Sequence, residues 1–466
     1  MLINQDSGGS RRKDIISELP EPLIHHILSF LPTQCVVSTS VLSKRWRYIW
    51  TSVPVIDLCE VEFPSIAKLL DTNEEHERVE NLYSLQFERL MNFVGKKLSL
   101  HHETRDIKKF YLDNLDVQRF QVEEWLSDLF TRQSLEEFVF YAESLPEGLF
   151  PSRGTYASLT ILELGTWDPV YLPDAINFPN LKICRLRNAT LCMHSEDLTQ
   201  QFFSKLPVLE ELELTDCDWN ISELLISAPA LKCLFITGPS EAAFFRGPIP
   251  KFKINIFAQN LLSLRSLPQE KDPISTKFIK KLSNVKRLKI SGGTFEELLF
   301  PDDLFTNWPM FHNLVYLEVA SKISFSEDKT LLNYLRISPN LATIIIAQCL
   351  AIHCAFDFFV KFHTLLNSNE FRLLGFVGYL SSTDGGWTLN MVPQCMLLHL
   401  KAANFFEFYG CLEDLNVVQT FLKYARVLER MIIKFDSNLP TDEQNEVMKK
   451  LLKFPRGSTS CIIELL

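Results

Sequence analysis

No two of the 11 cysteines form a CxxC pair, and in a chain of 466 residues this fits reduced thiols inside a cell better than a disulfide framework. Also missing are P-loop, GxGxxG, HExxH and GxSxG patterns, so the common phosphate-binding and nucleophile signatures are absent and no catalytic residue is singled out. There is no basic excess. A formal net charge of -10 disfavours a general nucleic-acid or anionic-membrane binder, because neutralising phosphates takes cations. Arg11, Arg12 and Lys13 would suit the start of a signal peptide, but Glu18, Pro20, Glu21 and Pro22 break any apolar core behind them. The longest apolar stretch, Ala342 to Val360, is interrupted by Thr343, Gln348, His353 and Asp357 and reads as a buried strand followed by a helix. Cys349, His353 and Cys354 lie close together, yet no matching second pair exists, so neither a metal nor another cofactor is expected. The sequons at Asn188 and Asn220 read as chance matches. What is present is apolar bulk: 46% hydrophobic and 12% aromatic residues allow a large core. The expected partner is another protein.

The first fifty residues read as short helices. Pro20 and Pro22 open a segment in which Leu23, Ile24, Ile27, Leu28 and Leu31 recur at helical spacing, and Pro32 stops it. Thr33 suits the N-cap of a second segment carrying Cys35, Val36 and Val37. Leu42 to Trp50 then interleaves Lys44, Arg45 and Arg47 with Trp46, Ile49 and Trp50. A unit this small rarely buries enough surface to stand alone, so it either docks on a partner or caps the rest of the chain. The string LPEPLIHHILSFLPTQCVVSTSVLSKRWRYIWTSVPVIDL resembles the F-box of plant F-box proteins over nearly its whole length. That resemblance implies binding to the Skp-type adaptor of a cullin-RING ligase. Leu19, Pro20, Leu23, Ile24, Ile27, Leu28, Leu31, Leu42 and Trp46 match the motif's apolar docking residues. His25 and His26 then read as surface or interface residues.

Farther along, Tyr83, Phe87, Leu90, Met91 and Val94 form one helical stripe, and Val122, Trp125, Leu126, Leu129 and Phe130 form another. The pattern LxxLxL begins at Leu135, Leu159, Leu181, Leu209 and Leu231, at intervals of 24, 22, 28 and 22 residues, and returns from Val285, Leu314 and Leu341. Such spacing marks leucine-rich repeats, whose strands stack into a parallel sheet along a solenoid because one repeat cannot bury its apolar face alone. Cys217 and Cys349 stand where the repeat consensus wants Asn or Cys to bond the turn. Degenerate repeats begun at Leu261 and Phe371 are expected inside the irregular stretches 238–282 and 349–386.

Side-chain alternation points the third and fifth positions of LxxLxL to the concave face. Candidate target-binding residues on that ladder are Glu137, Glu163, Arg185, Glu211, Glu213, Phe235, Arg287, Lys289 and Tyr316. Its early carboxylates, Glu137, Glu163, Glu211 and Glu213, suggest a patch for a basic partner. Lys280, Lys281, Lys286, Arg287 and Lys289 suggest instead a site for a phosphate-rich cofactor or an acidic peptide.

From Trp387 the sequence resembles the FBD domain that ends many plant F-box and leucine-rich-repeat proteins, in VPQCMLLHLKA, LNVVQTFLKYARVLERMIIKF and KKLLKFPRGSTSCIIEL. Periodicity makes these a strand, a helix, a strand, a helix and a last short strand. The expected fold is therefore α/β: a tail over 1–13, a short all-α F-box over 14–58, a linker and first helix over 59–105, a repeat solenoid with a parallel sheet over 106–386, and an α/β FBD cap over 387–466. The resemblance implies a non-enzymatic, intracellular subunit of an SCF-type ubiquitin ligase, cytoplasmic or nuclear, that contacts adaptor and cullin through the F-box and a target protein through the repeats. No nucleic acid or membrane partner is expected. The other reading is a repeat scaffold unrelated to ubiquitin.

Overall fold

The computed structural model describes residues 18–58, 92–98, 107–113, 125–126, 128–131, 133–142, 149–150, 153–166, 169–217, 223–237, 253–267, 282, 284–291, 310–323, 329–349 and 392–466. The chain forms two compact units, Met1–Leu198 and Thr199–Leu466.

The first unit opens with helices α1 (Glu21–Leu28) and α2 (Thr33–Ser38), followed by 3-10 turns at Thr39–Val41 and Trp46–Ser52. Pro20 caps α1 at φ -59 and ψ 142, a geometry its ring pre-sets. Thr33 is not the expected side-chain cap of α2. It is buried, and its hydroxyl accepts the Asp57 N–H at 2.7 Å, tying α2 to the chain that follows. Ile24, Leu28, Val36, Trp46, Ile49, Val53 and Val55 make the core of this segment, with Leu19, Trp50 and Tyr111 packed against it.

The remaining strands of this unit are β1 (Val55–Leu58), β2 (Lys109–Asp113), β3 (Glu137–Tyr141), β4 (Arg153–Thr155), β5 (Ile161–Gly165), β6 (Pro169–Tyr171), β7 (Ala175–Asn177), β8 (Ile183–Arg187) and β9 (Thr190–Cys192). β1, β2, β3, β5 and β8 pair in that order, all parallel. β1 corrects the expectation of an all-helical segment to residue 58. Val53, Ile56 and Leu58 repeat the LxxLxL spacing without a leucine at its start, as Ile107, Phe110 and Leu112 do in and before β2. The short pairs β4–β7 and β6–β9 form separate ladders. Phe110, Phe138 and Phe140 are fully buried and stack at 5.9 and 5.8 Å between centroids.

Residues 92–98 are helical, with Val94 buried; the expected stripe residues Tyr83, Phe87, Leu90, Met91 and Val122 lie outside the described residues. Lys97 in this helix is 1% exposed and donates to the Val55 carbonyl at 2.8 Å. Burial lowers its pKa from 10.5 to about 7. The folded chain therefore binds fewer protons than the unfolded one between about pH 7 and pH 10.5. Stability is expected to rise with pH through that window, by up to about 1.4 kcal/mol per pH unit. Lys97→Met should flatten the rise; equal differences between urea midpoints at neutral and alkaline pH in parent and variant would contradict it.

The second unit holds β10 (Glu211–Thr215), β11 (Glu223–Ser227), β12 (Cys233–Thr237), β13 (Lys253–Phe257), β14 (Ser263–Leu267), β15 (Arg287–Ser291), β16 (Tyr316–Ile323), α3 (Lys329–Ile337), β17 (Thr343–Cys349), α4 (Gln394–Leu398), β18 (Ala402–Phe408), α5 (Leu412–Tyr424), β19 (Arg430–Phe435), α6 (Thr441–Leu451) and β20 (Ile462–Leu465). β10, β12 and β14 to β20 pair in that order, every pair parallel, while β11 and β13 form a ladder of their own. β14 is the repeat expected from Leu261; Phe371 lies outside the described residues, as do His353, Cys354, Lys280 and Lys281.

The first carboxy-terminal strand is placed differently from expectation. Pro393 at φ -60 and ψ 143 starts α4 inside VPQCMLLHLKA, burying Cys395 and Met396, and the strand begins only at Ala402. Cys, Met and Leu carry no β-branch to resist a helical turn. β18 and β19 then share the register of β17, so the same sheet runs on into the C-terminal residues.

Asparagine side chains at the turns tie successive strand approaches together. Asn180, Asn260, Asn284 and Asn340, each just before the first apolar position, donate to the carbonyls of Ala157, Pro229, Gln259 and His312 at 2.7, 2.8, 3.2 and 2.8 Å. The Ser158 hydroxyl does the same to Gln133 at 2.6 Å. Cys217 is buried with Sγ 3.5 Å from the Thr215 carbonyl, within its own turn.

Candidate docking and recognition surfaces

Helix α1 carries two apolar stripes. Ile24 and Leu28 point into the core, while Leu23 and Ile27, one position earlier, remain exposed. Phe30 and Leu31 extend the exposed stripe, and Val41, Leu42 and Tyr48 from the following turns are exposed as well. The contrast is large: Ile27 and Leu42 are 52% and 64% exposed, against 2% for Leu28 and 5% for Trp46. Arg45 donates to the Leu19 carbonyl at 2.5 Å, holding the second stretch to the start of the first. So many wet apolar side chains within about 26 residues mark an interaction surface, because isolated soluble proteins rarely tolerate them.

Of the nine residues expected to dock an adaptor, Leu23, Ile27, Leu31, Leu42 and Pro20 are exposed and Leu19 is half-buried. Ile24, Leu28 and Trp46 are core residues that support this surface from beneath, which corrects their expected place on it. Phe30, Val41 and Tyr48 are additions; Phe30 stands three residues from Ile27 and meets the His26 ring edge-on at 5.0 Å.

On the sheets, residues at the third and fifth positions alternate with buried ones, as in β3, β5, β8 and β10. In the first unit their carboxylates are already held. Glu137 accepts the Tyr111 hydroxyl and pairs with Lys109 at 2.7 Å. Glu163 pairs with Arg185 and accepts the Tyr141 hydroxyl at 3.0 Å. Gly165 makes that arrangement possible, since a Cβ there would lie 2.1 Å from the Tyr141 ring. The Arg187 guanidinium stands over the same ring, 5.5 Å from its centre. Glu137 and Glu163 therefore do not contribute the unpaired negative field expected of them. In the second unit Thr215 donates to Glu213 at 3.2 Å, and Glu211 lies beside Cys233 in the register.

Farther into the second unit the charges reverse. One register row reads Phe235, Arg265, Lys289, Glu318 and the next reads Cys233, Ser263, Arg287, Tyr316. Lys289 pairs with Glu318 at 2.6 Å, and Tyr316 donates to the same carboxylate at 2.7 Å. Burial alone would raise the Glu318 pKa, but the Lys289 and Tyr316 contacts outweigh it and hold it below the ordinary value. Burial, then the bond to Glu318, pushes the Tyr316 hydroxyl up to about 12. Arg287 lies 4.5 Å from the centre of the Tyr316 ring, and Arg265 lies 5.9 Å from that of Phe235.

Comparison with known proteins assigns the segments that carry these residues. A model of the F-box domain matches residues 16–58, the model described as FBD-associated F-box protein At5g56370, LRR repeats, matches residues 122–346, and an FBD model matches residues 390–433. The chain carries F-box, leucine-rich-repeat and FBD sequences, in that order. Among its relatives, the putative F-box/FBD/LRR-repeat protein At2g05300 of Arabidopsis thaliana is 26% identical over 497 aligned residues covering 100% of both chains. The Arabidopsis thaliana F-box/LRR-repeat protein At4g14096 is 29% identical over 495 residues, covering 99% of this chain and 96% of its own.

The exposed apolar stripes thus belong to the F-box and the charged rows to the repeats. F-box, LRR and FBD domains are typical of adaptor and interaction proteins rather than catalysts. Among the described residues, no group of three or more His, Cys, Asp or Glu is placed to hold a metal, and no helix is long and apolar enough to cross a membrane. Arg265 was missed by sequence reasoning because Ser266 replaces the last apolar residue of its repeat.

Proposed function

We propose that this F-box protein is the substrate-recognition subunit of an SCF-type cullin-RING E3 ubiquitin ligase, acting in the cytoplasm or nucleus. The F-box binds a Skp-type adaptor, and through it the cullin. The repeats stack as a solenoid whose third and fifth strand positions hold the target, with the FBD residues capping its end. No residue of this chain performs chemistry; transfer is accelerated by the effective concentration that tethering creates. The observation that carries this reading is the wet apolar row of Leu23, Ile27, Phe30, Leu31, Val41, Leu42 and Tyr48.

The rival, a repeat scaffold with a helical cap, draws on the packing of Tyr111 and Val55 into the F-box core. A cap needs no second apolar stripe facing water, which favours the ligase reading. Affinity capture of the tagged full-length chain from plant extract, followed by mass spectrometry, is expected to return a Skp-type adaptor and a cullin in near-equal amounts. Capture of repeat-binding proteins without either would favour the scaffold.

A further inference from the structure

We propose that the face of β12, β14, β15 and β16 is a docking surface for an extended target segment carrying a phosphorylated or acidic side chain. This rests on the reading of the repeats as the target receptor and gives that target a chemistry. Three cations, Arg265, Arg287 and Lys289, occupy the third and fifth positions of two neighbouring strands, and the adjoining β16 supplies one carboxylate, Glu318. Glu318 is committed to Lys289 and Tyr316. Among the described residues no carboxylate pairs with Arg265 or Arg287. Their guanidinium groups lie over the Phe235 and Tyr316 rings instead.

That arrangement suits anion capture. A guanidinium resting on a ring is held by its face, and its N–H donors at the edge stay available for a bidentate oxygen pair. Arg265 stands beside Lys289 and diagonal to Arg287, and the two guanidinium groups lean toward the rings on β12 and β16, so an extended segment laid across these strands meets a guanidinium at each of two places. Both side chains are exposed and pack against nothing in the core. The first unit is the internal contrast: there Lys109 and Arg185 each meet a carboxylate on the neighbouring strand. Glu211 and Glu213 on β10, across β12, would repel an anion and so confine it to β14 and β15. The surface is local, since a chain of net charge -10 is ill suited to a long polyanion.

The test uses the full-length chain and fluorescent pools of 12-residue peptides with a fixed central phosphoserine, glutamate or serine and degenerate flanks, read by anisotropy. Phosphoserine should bind best, glutamate less tightly and serine least; comparable phosphoserine and glutamate binding would assign the site to acidic segments. Arg265→Glu with Arg287→Glu should weaken phosphoserine binding at least about tenfold and flatten its salt dependence. Lys232→Glu with Lys401→Glu makes the same charge change at exposed second positions and should leave binding within about twofold. Equal loss in both double variants, no preference for either anionic pool over serine, or tighter binding of single-stranded DNA of equal charge would overturn the proposal. Adaptor capture by the same preparations is measured in parallel. Its loss with peptide binding intact would count against the ligase reading alone, and its retention without anion preference against this inference alone.

Discussion

Aspartate at both Ile27 and Leu42 is expected to weaken binding of a Skp-type adaptor by at least about 100-fold, roughly 2.7 kcal/mol, while leaving the melting temperature of the chain nearly unchanged. Both side chains lie in water in the chain alone, so a carboxylate there costs the folded monomer little. In a complex the same carboxylates would be buried in an apolar contact without partners. Leu28→Ala and Trp46→Ala make a poor comparison even though both residues match the F-box motif. Each is buried in the helical core, and each truncation is expected to remove about 2–5 kcal/mol of stability, so lost binding would report unfolding. Surface plasmon resonance with immobilised adaptor, paired with a thermal melt, separates the two. Normal adaptor binding by a folded Ile27→Asp, Leu42→Asp variant would mean that this stripe is not the docking surface.

Phe138→Ala is expected to be the more damaging change to the fold, costing about 3–5 kcal/mol. Phe138 is fully buried on β3, the middle strand of the five that pair in the first unit, and its ring meets Phe110, Phe140 and Phe130 at 5.9, 5.8 and 4.9 Å. Ring pairs at these distances add to the area term, and alanine leaves a cavity that three aromatic neighbours cannot close together. Glu137→Gln, one residue earlier on the opposite face, loses a half-exposed pair with Lys109 and should cost less than about 1 kcal/mol. Urea unfolding followed by circular dichroism gives both values. A Phe138→Ala penalty no larger than that of Glu137→Gln would contradict this account of the core.

Much of the sheet was legible because the LxxLxL spacing records burial directly: its fourth and sixth positions are Phe138 and Phe140, Leu212 and Leu214, Leu317 and Val319, all buried. β1 and β2 escaped because neither Val53 and Ile56 nor Ile107 and Phe110 place a leucine at the first two apolar positions of the pattern. β14 was suspected at Leu261, yet its polar Ser266 hid the strand's limits and with them Arg265. For the F-box, motif resemblance identified the right segment but not its inner face. Helical spacing makes both the Ile24, Leu28 stripe and the Leu23, Ile27 stripe apolar, and only the packing of Trp46 and Val55 decides which one stays wet. Charge on the strands was legible residue by residue, whereas its cancellation was not. Glu137 meets Lys109 and Tyr111, and Glu163 meets Arg185 and Tyr141, only once the parallel register sets those strands side by side.

Size-exclusion chromatography with light scattering, run on the purified full-length chain mixed with a purified Skp-type adaptor, tests the central claim most directly. The account predicts a stable complex of one chain with one adaptor, which the Ile27→Asp, Leu42→Asp variant fails to form. A folded parent chain that elutes apart from the adaptor at micromolar concentrations would contradict it.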